Sequence, residues 1–331
     1  MEVLVPKEPA RSFETHEKAE VLKELSPLVE SLMADHLAKK RMWYPGEFLP
    51  ADEQMDDDAE RKVKALRERA RGISDAARVA VALNLLTEEG LPHFHRILAT
   101  HLGENNIWSK WNFLWTAEED RHGGVLRDYA RDARLFKFTQ IEMMQFAYQC
   151  SGFTPEWDKD PYKVFVYTSA QERATQIAHG NTGKVAGAHE PTLHGILASV
   201  AADEARHYTF YRNVFRALLK IDPNRALQSA LAILPSIEMP GLTVPHFKEM
   251  ADIIRRIGIY GPWDYKKIVD ELVEFWRIEV LTGLNEMGRK AQERIMKISE
   301  RLKKVAEYLD QKTEKKSFSF DFLYGRILVM E

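Results

Sequence analysis

Residues 115–123 read WTAEEDRHG, and residues 202–207 read ADEARH. Each stretch holds a Glu-x-x-His unit, Glu119 to His122 and Glu204 to His207, and each unit follows a lone glutamate, Glu88 or Glu172. The intervals nearly match, since Glu88 lies 31 residues before Glu119 and Glu172 lies 32 before Glu204. In an α-helix positions i and i+3 share a face, so each unit points a carboxylate and an imidazole the same way. The repeat predicts two helix pairs related by pseudo-twofold symmetry, with four carboxylates and two imidazoles converging inside a bundle.

A single Glu-x-x-His is common on solvated helix faces, so its surroundings decide. Leu193, Leu197, Val200, Glu204, His207, Tyr211 and Val214 follow the 4-3-4-3 spacing of a buried stripe. Trp111, Trp115, Glu119, His122, Leu126 and Tyr129 do the same. Glu88 falls in line with Val81 and Leu85, and Glu172 with Phe165, Thr168, Thr175 and His179. Burying four unpaired carboxylates would cost on the order of several kcal/mol each, and a pair of metal cations removes that objection. The donor set is that of the carboxylate-bridged di-iron bundles. Oxygen and imidazole donors without thiolate suit iron or manganese, whereas structural zinc leans towards sulfur.

The surrounding sequence is almost wholly helical in pattern. Helices are expected at 14–40 (with Pro27 early or at a kink), 75–102 behind a Ser74-Asp75 cap, 106–132, 137–150, 162–180 and 191–220. More follow at 224–234, 245–257, 263–280 and 286–312. Pro92, one turn after Glu88, is placed to kink its helix, and His179-Gly180-Asn181 reads as a helix stop. The acidic run from Asp52 to Glu60 and the stretch from Pro155 to Pro161 read as loops. Alternating Phe318, Phe320 and Phe322 before Tyr324-Gly325 suggest a terminal hairpin. The expectation is an all-α protein. It has a ferritin-like four-helix bundle core over about 75–220, additional N- and C-terminal helices and a small C-terminal β-hairpin, in one domain spanning 1–331.

Composition bounds the function classes. A hydrophobic content of 45% and a charged content of 29% over 331 residues supply a sizeable core. A formal charge of −3 lacks the basic excess of nucleic-acid binders. No stretch approaches the roughly 18 apolar residues of a membrane span. The N-terminus has neither an apolar h-region nor the low acidity of a transit peptide, so a soluble, cytoplasmic protein is expected. Cys150 is the only cysteine and reads as a small buried residue.

Ligand histidines usually donate their second N–H to a carboxylate, and Asp203 is the expected partner of His122. Arg121 and Arg206 precede the two histidines and stand either to satisfy such carboxylates or to form salt bridges at the bundle surface. Thr175 sits one turn from Glu172, either handling protons or bonding back to its own helix. His179 stands two turns from Glu172. His93, His95 and His101 lack partners at ligand spacing. His16, His36, His189, His194 and His246 carry no signal.

These motifs resemble those of the soluble acyl-[acyl carrier protein] desaturases. The likeness lies in WTAEEDRHG, TSAQERATQIAHGNTG at 168–183 and ADEARH, with TEEGLP at 87–92, W-x-P-x-x-FLP at 43–50 and LTGL followed by G-x-KAQ at 281–292. It runs from about residue 14 to the C-terminus. The resemblance implies two iron ions per subunit, held by Glu88, Glu119, His122, Glu172, Glu204 and His207, with Glu119 and Glu204 bridging. It also implies O2 as co-substrate, ferredoxin as electron donor, an acyl chain on acyl carrier protein as substrate, and a homodimer. Trp43, Asp203 and Arg121 match positions on the family's path for electrons, and Thr175 matches a residue beside its oxygen site. A narrow apolar channel is expected beside the irons, lined from helices 91–101 and 164–172. The sequence departs from the plant pattern in a trimmed loop at 102–106 and in Val164, which stands where plant enzymes carry glycine. The lack of a plastid transit peptide suggests a bacterial protein, or a mature form in the plastid stroma.

Other readings of the same ligands are a ferritin-like di-iron oxidase, a hydroxylase component, or a radical-generating reductase subunit, for which Tyr129 and Tyr211 stand one to two turns from ligands. The helices outside the bundle argue against storage. For an acidic carrier, two basic stretches offer themselves: 61–71, and 289–316 with ten Lys/Arg against five Asp/Glu.

Overall fold

The computed structural model describes residues 11–50, 57–155, 160–237, 240–312 and 314–331. Among the described residues are thirteen α-helices and one two-stranded sheet. The fold is all-α. Its centre is a bundle of four helices: α3 (Asp75–Glu88), α5 (Ile107–Asp132), α7 (Pro161–Gly187) and α8 (Pro191–Ile221). α3 packs on α5 and α7 on α8, and the pairs meet through α3–α7 and α5–α8. α1 (Arg11–Lys39) lies across α5 and α8, while α2 (Asp57–Arg71) packs on α5.

Each core helix starts where its sequence says it should. Ser74 accepts from Ala77 N, Asn106 from Ser109 N, Asp160 from Tyr162 N and Glu190 from Leu193 N. These side chains satisfy amide donors that a helix leaves unpaired at its first turn. The stripes anticipated on α5 and α8 are buried along their length, and α3 is buried on nearly all sides.

Several boundaries differ from the sequence expectation. The 75–102 segment is two helices, α3 and α4 (Leu91–Leu102), with a break rather than a kink at Glu89-Gly90. Pro92 belongs to the first turn of α4, where its missing N–H costs nothing. A side chain at Gly90 would collide with the Tyr148 hydroxyl. α7 does not stop at Gly180 but continues to Gly187. Gly183 and Gly187 face α8, where a Cβ would press on Leu197 and His194. Their smallness therefore serves close helix approach rather than a left-handed cap.

The segment after α8 forms α9 (Pro223–Ile233), α10 (Phe247–Arg256) and α11 (Pro262–Phe275). The expected helix at 286–312 is divided into α12 (Glu286–Ile295) and α13 (Ile298–Gln311). The acidic run is helical from Asp57, and its part at 52–56 lies outside the described residues, as does 156–159. Strands β1 (Lys316–Ser319) and β2 (Ile327–Met330) pair antiparallel with Lys316 opposite Met330, and the link holds Tyr324 and Gly325 at positive φ. The Lys137 amide donates to Phe322 O at 2.9 Å, tying the hairpin to α6 (Phe138–Ser151). Cys150 is exposed near the end of α6, not buried as expected.

Candidate di-metal site

Six side chains from the four core helices meet at mid-bundle: Glu88 from α3, Glu119 and His122 from α5, Glu172 from α7, Glu204 and His207 from α8. All six are buried. His122 Nδ1 lies 3.3 Å from Glu119 Oε2, 3.3 Å from Glu204 Oε1 and 3.6 Å from Glu88 Oε2. His207 Nδ1 lies 2.9 Å from Glu119 Oε1 and 3.7 Å from both Glu172 Oε2 and Glu204 Oε2. The donors fall into two overlapping sets, Glu88/Glu119/His122/Glu204 and Glu119/Glu172/Glu204/His207, each with its ligand atoms within 4.8 Å of one another. Glu119 and Glu204 belong to both.

The donor atoms fit metal ions. Both Nδ1 atoms, Glu119 Oε1, Glu172 Oε2 and Glu204 Oε2 are buried without a hydrogen-bond partner, a state that proteins seldom tolerate for polar atoms. Four carboxylates balance two divalent cations in charge. The electrostatics agree: burial and the charge of Glu204 push the Glu172 carboxyl well above the usual range and raise that of Glu119. Burial alone would lower His122, but Glu119, Asp203 and Glu204 hold it well above its ordinary value.

The imidazoles turn their other nitrogens to carboxylates. His122 Nε2 is 3.3 Å from Asp203 Oδ2, and that oxygen also accepts from Trp43 Nε1 and Arg121 at 3.1 Å each. Arg121 also donates to Trp43 O at 2.8 Å, and Arg206 binds the other Asp203 oxygen. Asp203, Trp43 and Arg121 thus form one cluster on the outer side of His122. Burial pushes the Asp203 carboxyl up, but His122 and Arg206 outweigh it and hold it below the usual range.

His207 has an equivalent that sequence reasoning missed. Its Nε2 lies 2.9 Å from Glu118 Oε2, and His36 and Lys40 approach the same carboxylate. The signal was present: Glu118 precedes Glu119 as Asp203 precedes Glu204. His179 Nε2 lies 2.8 Å from Glu88 Oε1, and Trp115 Nε1 donates to Glu172 Oε1 at 3.2 Å. The Thr175 hydroxyl bonds back to Gln171 O and Glu172 O at 3.2 and 3.0 Å. His93 stacks edge-on against Tyr148, and His95 lies 2.7 Å from Thr116 Oγ1; neither belongs to a ligand set among the described residues.

A cavity of about 960 Å³ opens beside the cluster. Glu88 and Glu119 form part of its wall, with Trp115, Leu91, Phe94, Gln171, Ala174 and Thr175. Leu91, Phe94 and Gln171 come from the segments anticipated for a channel. The mouth was not anticipated: it is built by α10, α11, α13 and β1, with Tyr260, Tyr265, Leu302 and Leu309 among its apolar residues. Val164 is buried and, among the described residues, is not part of the wall.

The profile of the fatty acid desaturase family matches residues 17–324. The chain belongs to this family. It is 35% identical over 326 residues to the chloroplastic stearoyl-[acyl-carrier-protein] 9-desaturase of Gossypium hirsutum, covering 94% of this chain and 81% of that one. It is 34% identical over 330 residues to stearoyl-[acyl-carrier-protein] 9-desaturase 3 of Arabidopsis thaliana, covering 94% and 82%. The solved structure of DesA2 from Mycobacterium tuberculosis shares the fold, with a TM-score of 0.58 at 19% identity, covering 82% of this chain and 99% of that one. No helix among the described residues of this desaturase is long and apolar enough to cross a membrane.

Proposed function

We propose that this chain desaturates a saturated acyl chain carried on acyl carrier protein, using O2, two bound irons and electrons from ferredoxin. The observation that carries the reading is the coincidence of two ligand sets sharing Glu119 and Glu204 with an apolar cavity that has Glu88 and Glu119 in its wall. Two irons at this site would supply activation of O2, chemistry that no side chain provides. Overall, two C–H bonds of the acyl chain and two electrons and two protons from outside reduce O2 to two waters, leaving a C=C bond.

The chain's own residues do the rest. Glu88 and His122 would hold one iron, Glu172 and His207 the other, with Glu119 and Glu204 between them. Asp203 orients His122, and Trp43 links it outward as the route for electrons. Leu91, Phe94, Trp115 and Ala174 surround the chain with apolar surface and keep water out. The Thr175 hydroxyl, bonded back to its own helix, lies in the cavity wall one turn after Glu172 and is assigned the handling of protons there. A homodimer in solution is part of the reading.

The carrier is assigned to the cavity mouth. Lys248 and Lys312 stand exposed on its rim, while Arg255, Arg256 and Lys316 gather around Asp252 and Glu314 lies beside them, leaving net positive charge for an acidic partner. In the 61–71 stretch Arg61, Lys62, Lys64 and Arg71 are exposed, but two of its arginines are engaged. Arg67 donates inward to Asp132 O and Arg69 to Glu190, both at 2.9 Å. The test is anaerobic loading with Fe2+, then O2 with reduced ferredoxin and a series of acyl carriers, with products mapped by mass spectrometry. Two irons per chain and an alkene product support the reading. A large mineral load or an alcohol product would move it to storage or hydroxylation.

A further inference from the structure

Glu118 and the end of α1 stand outside the ligand set, yet they mirror the support of His122. On one side, Asp203 backs His122, Trp43 donates to Asp203, and the Trp43 ring lies parallel to the His122 ring at 6.1 Å and 5°. On the other, Glu118 backs His207, and His36 Nε2 lies 3.0 and 3.2 Å from the two Glu118 oxygens. The His36 ring lies parallel to that of His207 at 5.8 Å and 9°. Each ligand imidazole therefore has a carboxylate at its Nε2 and a ring over its face. In both cases the ring comes from the short stretch between His36 and Trp43.

We propose that Glu118 is the positioning residue of His207, and that the stretch from His36 to Trp43 is a clasp over both ligand histidines. The inference rests on the metal-binding reading above. Glu118 is 1% exposed and His36 5%. A buried carboxylate must be matched by donors, and Glu118 has three: His207, His36 and the Lys40 ammonium at 2.7 Å from Oε1. His36, Glu118 and His207 are close enough together to hold a cation of their own, but the Lys40 ammonium already supplies that charge. With Nε2 committed to Glu118, His207 presents Nδ1 to the cluster, as His122 does through Asp203. A bundle of α3, α5, α7 and α8 alone would hold the six ligands but leave both orienting carboxylates without their α1-side partners.

The test is metal affinity, read without turnover. Apoprotein is titrated with Co2+ against a competing chelator, following the ligand-field absorption so that the two equivalents are resolved. Loss of an outer partner typically weakens a metal site about 10- to 100-fold. Glu118→Gln should weaken one equivalent by that factor, Asp203→Asn the other, and Glu118→Asp should recover part of the loss. His36→Phe keeps a ring over His207 but removes the bond to Glu118, so it should weaken the same equivalent as Glu118→Gln. This variant and Lys40→Met carry the test if Glu118→Gln does not fold. Wild-type affinity for both equivalents in these variants overturns the clasp, as does an equal loss at both sites. Failure of the wild-type chain to bind two equivalents overturns the metal reading itself, which is a different result.

Discussion

The Trp43 indole N–H donates to Asp203 Oδ2 at 3.1 Å, and the same oxygen lies 3.3 Å from His122 Nε2. A ring at the edge of the bundle is thereby joined to a ligand histidine through one atom. Trp43→Phe keeps an aromatic face but removes the donor. Iron content should remain two per chain, while reduction of the loaded centre by ferredoxin slows by about tenfold, on the order of one lost hydrogen bond to a charged group. Stopped-flow bleaching of the ferric absorption measures this, and an unchanged rate would remove Trp43 from the electron route.

Phe94 sets a second expectation. It packs against Phe153 at 5.7 Å and Tyr167 at 6.4 Å. Among the described residues, none of α4 after Phe94, of α5 before Trp115 or of α7 before Gln171 lines the cavity. The lining of these three helices thus ends at Phe94, Trp115 and Gln171. Phe94→Ala should shift the preferred acyl chain longer by about two carbons, at a stability cost of about 3 kcal/mol. A chain-length series with product mapping reads the shift, and an unchanged optimum would place the stop elsewhere.

Why the sequence carried so much of this is physical. The ligand cluster needs helical spacing and burial, and both are local: Glu119 to His122 is one turn, and the stripe around them is apolar. Asp203 was legible because metal-bound imidazoles need a second acceptor. Glu118 obeyed the same rule and was overlooked, because its partners His36 and Lys40 arrive from the end of α1 and the residue after it, 82 and 78 residues away in sequence. The cavity mouth was illegible for the same reason, since α10, α11, α13 and β1 meet only in three dimensions. Gly180 misled because a glycine inside a helix and one that ends a helix look alike in a string.

The rim of the mouth separates the two basic stretches experimentally. Lys248 and Lys312 are exposed, and Lys248→Glu with Lys312→Glu should raise KM for the acyl carrier substrate about tenfold at low salt, with kcat nearly unchanged and the effect fading at high salt. Arg69→Glu should behave differently. Its partner Glu190 is fully buried and caps α8, so the change should cost about 1–3 kcal/mol of stability and leave KM alone. Steady-state kinetics across ionic strength, paired with thermal melts, distinguish the two. A KM effect at Arg69 without loss of stability would return docking to α2.

Asp252 gives a prediction in pH. Its carboxylate meets Arg255 at 2.8 Å, Arg256 at 3.0 Å and Lys316 at 3.1 Å, joining α10 to β1. Burial opposes ionisation there, but the hydrogen bonds from Arg256, Arg255 and Lys316 win and bring the carboxyl from 3.8 down to about 2. A depressed folded value means that the charged form is favoured by folding. Its contribution is complete above the unfolded value near 4 and disappears as pH falls through about 2. Discounted for partial exposure, it amounts to about 1–2 kcal/mol. Asp252→Asn should therefore lower stability by that amount at pH 7, and the gap from wild type should close between about pH 4 and pH 2. Urea melts across that range measure it. A gap that stays constant with pH would show that the tether acts through packing rather than charge.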